Sequence, residues 1–318
     1  MAIVNFLFFA ASLFIVVKSA GYCIKYSSRV ARIFRLSEFI VSFFIVSVIS
    51  VFPEASISII SAIKGVPEFG MGALLGSNIA DLTLVFGVIA LFAANGVHVK
   101  SMILKEDFMY LLLLLFPILL GWDGNFSRID GILLVLGGLF FFFTLALQSK
   151  MFRKRLKEIK TKLLLKNVSL LIFFLGTLLL GSSFTVKYAV QLANDFQLPA
   201  ILVGLTIISI GTCLPELLFS LRAVANNHDQ LALGDILGTV IMDATIVLGI
   251  VAIINPFEFR PLVIYVTGFA MFFAGLLTII FISSQKMLTK REGLFLIFFY
   301  IAYIIIEFAV NSIYLANS

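Results

Sequence analysis

The sequence predicts an all-α polytopic membrane protein of ten transmembrane helices, arranged as two inverted-topology repeats of five. Three observations lead there. The 318 residues are 61% hydrophobic and 13% charged, with a mean hydropathy of +1.14, whereas soluble domains are roughly 45–50% apolar and about 25% charged. The apolar residues fall into ten stretches, and about 20 such residues cross a ~30 Å hydrocarbon core as a helix. One part of the chain also repeats another at a constant spacing.

The ten stretches are 2–19, 37–63, 70–94, 106–121, 129–149, 166–186, 198–223, 231–254, 261–283 and 293–315. The first lacks a basic leader region and stays apolar to Val17, so it reads as a span and not as a cleaved signal. Of the 23 Lys and Arg, 19 follow odd-numbered spans, eight of them in 150-KMFRKRLKEIKTKLLLK-166. Basic loops stay cytoplasmic. Both termini are therefore expected outside the cell (plasma) membrane, with 150–166 a cytoplasmic connector between a first unit, 1–149, and a second, 167–318. Basic residues confined to loops in this way report orientation in the lipid bilayer, and no nucleic-acid partner is expected. Cys23 and Cys213 make no disulfide framework.

Residues 36–87 and 198–249 align without a gap at an offset of 162, with 15 of 52 pairs identical. Pro53-Glu54 falls on Pro215-Glu216, Gly72 on Gly234, Gly76 on Gly238, Asp81 on Asp243, Thr83 on Thr245 and Gly87 on Gly249. Shared Leu and Val are common between apolar helices; a shared polar set at fixed spacing is not. Five spans, an odd number, separate the copies, so the second crosses the membrane in the opposite sense. Many secondary transporters place substrate sites where such repeats meet.

Glu54, Glu216, Asp81 and Asp243 fall near the middle of predicted spans, where a carboxylate is costly and signals function. Every Lys and Arg falls in a loop or at a span end. Four acids without basic partners call for cations or protons. Ser50 and Thr212 precede the glutamates by four residues, and Ser77 and Thr239 precede the aspartates by four. That spacing puts each hydroxyl on the carboxylate's helix face, a donor set suited to a hard cation. Pro53 and Pro215 deny a hydrogen bond to the carbonyls of Ile49 and Gly211. The recurring glycines suit close helix packing. Glu307 has no counterpart in the other copy and reads as structural. His98 and His228 lie in separate loops, the Phe-rich run 139-LFFFFTL-145 reads as lipid-facing, and no glycine-rich phosphate loop is present.

The paired motifs resemble those of the calcium/cation antiporter superfamily, most closely the prokaryotic sodium/calcium exchangers. The segment 211-GTCLPELLFS-220 resembles the G-T-S-x-P-E signature, followed by 234-GDILGTVIMDATIVLG-249, and 72-GALLGSNIADLTLVFG-87 resembles the partner motif. The resemblance implies that Glu54 and Glu216 are the central Ca2+- and Na+-binding glutamates and that Asp81 and Asp243 fill the family's Asn/Asp positions. It also implies that Ser47, Ser50, Ser77, Ser209, Thr212 and Thr239 contribute hydroxyl or carbonyl oxygens. Val51 and Cys213 stand at the signature's second hydroxyl position, Ile49 at its first glycine and Val240 where the other copy has Asn78. The implied activity is exchange of Ca2+ for Na+ by alternating access, with spans 1 and 6 sliding across the core. A monomer is expected, with no enzymatic chemistry and no resident cofactor. Coupling to H+, or another divalent cation, stays open within the same fold. A cation channel would also use acidic residues but would conduct without counterflow.

Overall fold

The computed structural model describes residues 2–33, 43, 46–93, 96–98, 107–148, 161–195, 203–225, 227–285 and 287–317. The starts of the second and seventh predicted spans (37–42, 44–45 and 198–202), the last residue of the fifth (149) and most of the basic connector (150–160) lie outside them. The described chain is predominantly helical: α1 (Ala2–Ile33), α2 (Ser47–Ser50), α3 (Phe52–Ile63), α4 (Pro67–Phe92), α5 (Asp107–Leu120) and α6 (Arg128–Gln148) come first. They are followed by α7 (Thr161–Asp195), α8 (Ser209–Thr212), α9 (Leu214–Ala225), α10 (Asp229–Ile254), α11 (Pro261–Ser283) and α12 (Lys290–Asn317). Seven helical stretches among the described residues are long and apolar enough to cross a membrane; those at Ile3–Ser19, Phe52–Ile63 and Phe108–Leu120 are shorter.

Local sequence sets the helix ends. Ser127 and Asp130 form a reciprocal cap at the start of α6: the Ser127 N–H donates to Asp130 Oδ2 at 2.9 Å and the Asp130 N–H to Ser127 Oγ at 3.3 Å. Thr289 and Glu292 repeat the device at the start of α12 at 2.8 and 3.4 Å, each satisfying donors that a helix start leaves open. Helix α1 runs on to Ile33 and α7 starts at Thr161, both beyond their predicted apolar limits. In α1 the extension is polar, and Lys25 lies 5.8 Å from the Tyr22 ring, an amphipathic stem lying along its own helix.

Two short antiparallel pairings tie distant loops together. The first joins β1 (Val97–His98) to β4 (Met287–Leu288), and the second β2 (Asn125–Phe126) to β3 (Phe257–Glu258). Helices α4 and α10 are the most enclosed: 83% and 78% of their apolar windows are buried, against 22% for α7. They form the centre, and α1 lies along α7 outside it. The Phe-rich run is only partly outward. Leu139, Phe140 and Phe143 are exposed, but Phe141 is buried against Tyr110 and Phe43, because one helical face always turns inward.

Glycine lets the central helices meet at backbone distance. A Cβ on Gly76 would lie 2.5 Å from the Leu205 carbonyl oxygen, and one on Gly238 would lie 2.8 Å from Ser47 Cβ. The predicted packing role of these glycines is thus met, and each contact joins one copy of the repeat to the other.

Candidate cation site

Two helix breaks and two π-helical turns position the acids. The chain breaks at Val51 between α2 and α3 and at Cys213 between α8 and α9. Pro53 and Pro215 fall in the first turn after each break, where a missing N–H is tolerated. Each proline brings its neighbour, Glu54 or Glu216, to a helix start. Asp81 opens the π-helical stretch Asp81–Val85 inside α4, and Asp243 lies in the matching stretch Met242–Val247 of α10. Such turns are rare and favour functional sites.

All ten residues singled out by sequence are buried: Glu54, Glu216, Asp81, Asp243, Ser47, Ser50, Ser77, Ser209, Thr212 and Thr239. The pairing between them crosses from one copy to the other. Glu54 stands beside the Thr212 hydroxyl, Asp81 beside the Cys213 thiol, and Ser77 beside Asp243. The Cys213 thiol also donates to the Ser77 carbonyl at 3.5 Å. Glu216 lies near Glu54 and Asp81.

Four of the hydroxyls send their hydrogens back along their own helices. Ser77 donates to the Leu74 carbonyl at 3.0 Å, Ser209 to Leu205 at 2.6 Å and Thr212 to Ser209 at 3.2 Å; Ser47 donates to the Phe43 carbonyl in the same way. Their oxygens keep lone pairs for a ligand.

The structure adds a residue that the sequence reading passed over. Asp235, fully buried, accepts a 2.9 Å hydrogen bond from Ser50 Oγ and lies in the field of Glu54 and Glu216. It aligns with Ala73. A search for acids shared by both copies therefore rejects it, although an acid inside an apolar helix is signal enough. Tyr110 and Tyr300 also carry buried, unpartnered hydroxyls and feel the charge of Asp81. In sequence they look like ordinary aromatic span residues. Glu307, read as structural, accepts a 3.2 Å hydrogen bond from Thr267 Oγ1.

Several buried oxygens have no partner: Glu54 Oε2, Asp81 Oδ1, Asp235 Oδ2, both oxygens of Glu216 and of Asp243, and Thr239 Oγ1. No Lys or Arg is buried among the described residues. Uncompensated buried carboxyl oxygens are costly, and a cation or protons would satisfy them. Among the described residues no three His, Cys, Asp or Glu side chains stand together as one metal-holding group. The acids line a shared region without forming a closed cage of carboxylates, so hydroxyls and carbonyls must supply part of any shell.

Comparison with known proteins agrees with this geometry. The family described as Sodium/calcium exchanger protein matches residues 4–148 and 166–309. The putative antiporter CaxA of Alkalimonas amylolytica is 34% identical over 263 residues, 79% of this chain and 81% of that protein. Inner membrane protein YrbG of Escherichia coli (strain K12) is 32% identical over 263 residues, 79% of this chain and 80% of that protein. The fold matches that of the sodium-calcium exchanger NCX_Mj with a TM-score of 0.69 at 24% identity, covering 96% of this chain and 99% of that one. With its buried acids, its apolar helices and a family match over nearly its whole length, the chain is a multi-pass membrane protein belonging to the sodium/calcium exchanger family of the calcium/cation antiporter superfamily.

Proposed function

We propose that this protein is a cation antiporter that moves Ca2+ out of the cytoplasm against inflowing Na+. The observation that carries the reading is the set of buried, partnerless carboxyl oxygens on Glu54, Glu216, Asp81 and Asp243, with Thr212 beside Glu54, the Cys213 thiol beside Asp81 and Ser77 beside Asp243. Carboxylate and hydroxyl oxygens are the donors Ca2+ prefers. Ser47, Ser50, Ser77, Ser209, Thr212 and Thr239 complete the donor set. The chain's likeness to a sodium-calcium exchanger and to a putative antiporter supports the same cargo and mode.

The architecture proposed with it is ten spans in two inverted repeats, 1–149 and 167–318, joined by the cytoplasmic connector 150–166, with both termini outside the plasma membrane. The three shorter apolar helices then complete the seven longer ones. The matching close approaches at Gly76 and Gly238, and the matching caps at Ser127 and Thr289, support a repeat with one local plan. Cysteines placed at positions 160 and 318 test the orientation. An impermeant thiol reagent applied to intact cells should label 318 and spare 160; the reverse pattern defeats the topology.

Charge balance bears on coupling. Four ionised acids around one Ca2+ leave two negative charges uncompensated in a medium where charge is expensive, so Asp81 and Asp243 are proposed to keep their protons while Glu54 and Glu216 exchange ions. A second reading, H+ in place of Na+, is favoured by the acids standing at both 81 and 243, with Asp235 beside them. Radiolabelled Ca2+ flux in proteoliposomes separates the two. Under the Na+ reading, Ca2+ leaves loaded vesicles when Na+ is added outside at constant pH. Release that ignores Na+ and follows an imposed pH gradient gives the H+ reading, and conduction without any trans ion gives a channel.

A further inference from the structure

Ser50 stands apart both from the predicted hydroxyl ligands that bond along their own helices and from Thr239, whose hydroxyl has no partner. The counterpart of Ser50, Thr212, donates to a carbonyl in its own helix, as do Ser47, Ser77 and Ser209. Ser50 instead donates across to Asp235 Oδ1 at 2.9 Å, in a helix of the other copy. That choice affects Glu216. If the two copies were arranged alike, Ser50 would stand beside Glu216 as Thr212 stands beside Glu54; both Glu216 oxygens are unpartnered instead. The cause is one asymmetric residue, because Asp235 aligns with Ala73 and the other copy holds no acid there.

We propose that Asp235 is a positioning residue for the transported cation: by taking the hydrogen of Ser50, it turns the lone pairs of that hydroxyl toward the ion held at Glu54 and Glu216. A hydroxyl has one hydrogen and two acceptor lone pairs. A carboxyl oxygen holding the hydrogen fixes the hydroxyl oxygen as an acceptor and raises its donor strength, as outer partners do for metal ligands generally. The remaining Asp235 oxygen is buried and unpartnered, and takes no place in the ion's shell. The two glutamate positions are consequently unequal, the Ser50 side being the better prepared one.

The inference rests on the antiport reading. Its test compares Asp235→Asn, which keeps an acceptor for Ser50, with Asp235→Leu, which removes it, alone and combined with Ser50→Ala. The readouts are the KM and maximal rate of radiolabelled Ca2+ uptake and the thermal stabilisation of the purified protein by Ca2+. Asp235→Leu should raise the Ca2+ KM about ten-fold with little change in maximal rate, while Asp235→Asn stays within about three-fold of wild type. Ser50→Ala, which removes the positioned oxygen itself, should raise the KM at least as much as Asp235→Leu, and the double variant should be no worse than Ser50→Ala alone, since Asp235 acts through that oxygen. Asp235→Ala offers a smaller acceptor-free variant if leucine is not accommodated. An unchanged KM in the acceptor-free variants, an Asn variant as weak as the Leu one, or losses that multiply in the double variant would each overturn the proposal. Those outcomes leave the antiport reading standing, whereas a wild-type protein that neither binds nor carries Ca2+ defeats both.

Discussion

Glu54 and Glu216 occupy the same place in their two copies, each in the first helical turn after a break, beside a proline, fully enclosed. Their surroundings nonetheless differ. Glu54 has Thr212 across the interface; Glu216 has no partner for either oxygen, because Ser50 is turned to Asp235. The aspartates diverge too. Asp81 has the Cys213 thiol, but the residue that would mirror it against Asp243 is Val51, which offers nothing polar. A repeated backbone places equivalent carboxyls at equivalent depths, and a few unrepeated side chains then decide what each carboxyl does.

The harshest way to break this comparison is to neutralise the glutamates. Glu54→Gln and Glu216→Gln should each lower Ca2+ flux by about 100-fold or more, the scale of removing one partner from a desolvated charge pair. Their melting temperatures should stay near wild type, because glutamine keeps the volume. Near-normal flux in either variant would show that one copy alone carries the cation.

Packing at the interface should be less forgiving to size than to charge. Gly76→Val and Gly238→Val each drive atoms into the opposite copy, the first against the Leu205 carbonyl and the second against Ser47. Overpacking of this kind costs about 1–3 kcal/mol, visible as a lower melting temperature in detergent. Comparable losses at both sites would affirm the shared scaffold; a loss at one alone would confine the tight fit to that copy.

The aspartates sharpen the question of coupling. Asp81→Asn should retain most Na+-driven flux if Asp81 keeps its proton throughout the cycle, since asparagine preserves the shape and an acceptor. A crippled Asp81→Asn variant would turn the assignment toward H+ exchange. The smallest effect is expected at Glu307, outside the repeated set. Glu307→Gln still accepts from Thr267, so stability should change by less than about 1 kcal/mol and flux should be unaffected, as measured in the same vesicles.

Much of this was legible in the sequence. Helix positions followed from apolar run length, and the Pro-Glu and Gly-x-x-x-Gly pairs marked the breaks and the close contacts, because each depends on a covalent property of one residue. The extra length of α1 and α7 was not legible, since hydropathy reads where lipid ends and not where a helix ends. Nor was the role of Asp235, which repeat symmetry screened out when it fell opposite Ala73. Hydrogen-bond partners across the interface depend on which rotamer wins in three dimensions, and spacing along one helix carries no record of that choice.

The glycine contacts also divide the molecule into parts that can shear and parts that cannot. Gly76 meets the backbone of Leu205, Gly204 that of Phe69 and Gly131 that of Gly249. With backbone seated on backbone there is no side-chain layer to act as a slip plane, so these helices can only travel as a block. Helix α1 meets the block differently: at Gly211 the nearest neighbour is the Leu13 side chain, and at Gly181 of α7 the nearest is that of Val16. Side chains can trade rotamers as they pass one another, and small sliding of packed helices proceeds in that way. Contacts of that kind let α1 shift against its neighbours, so under the antiport reading proposed above movement is expected there, with the acids held in the block.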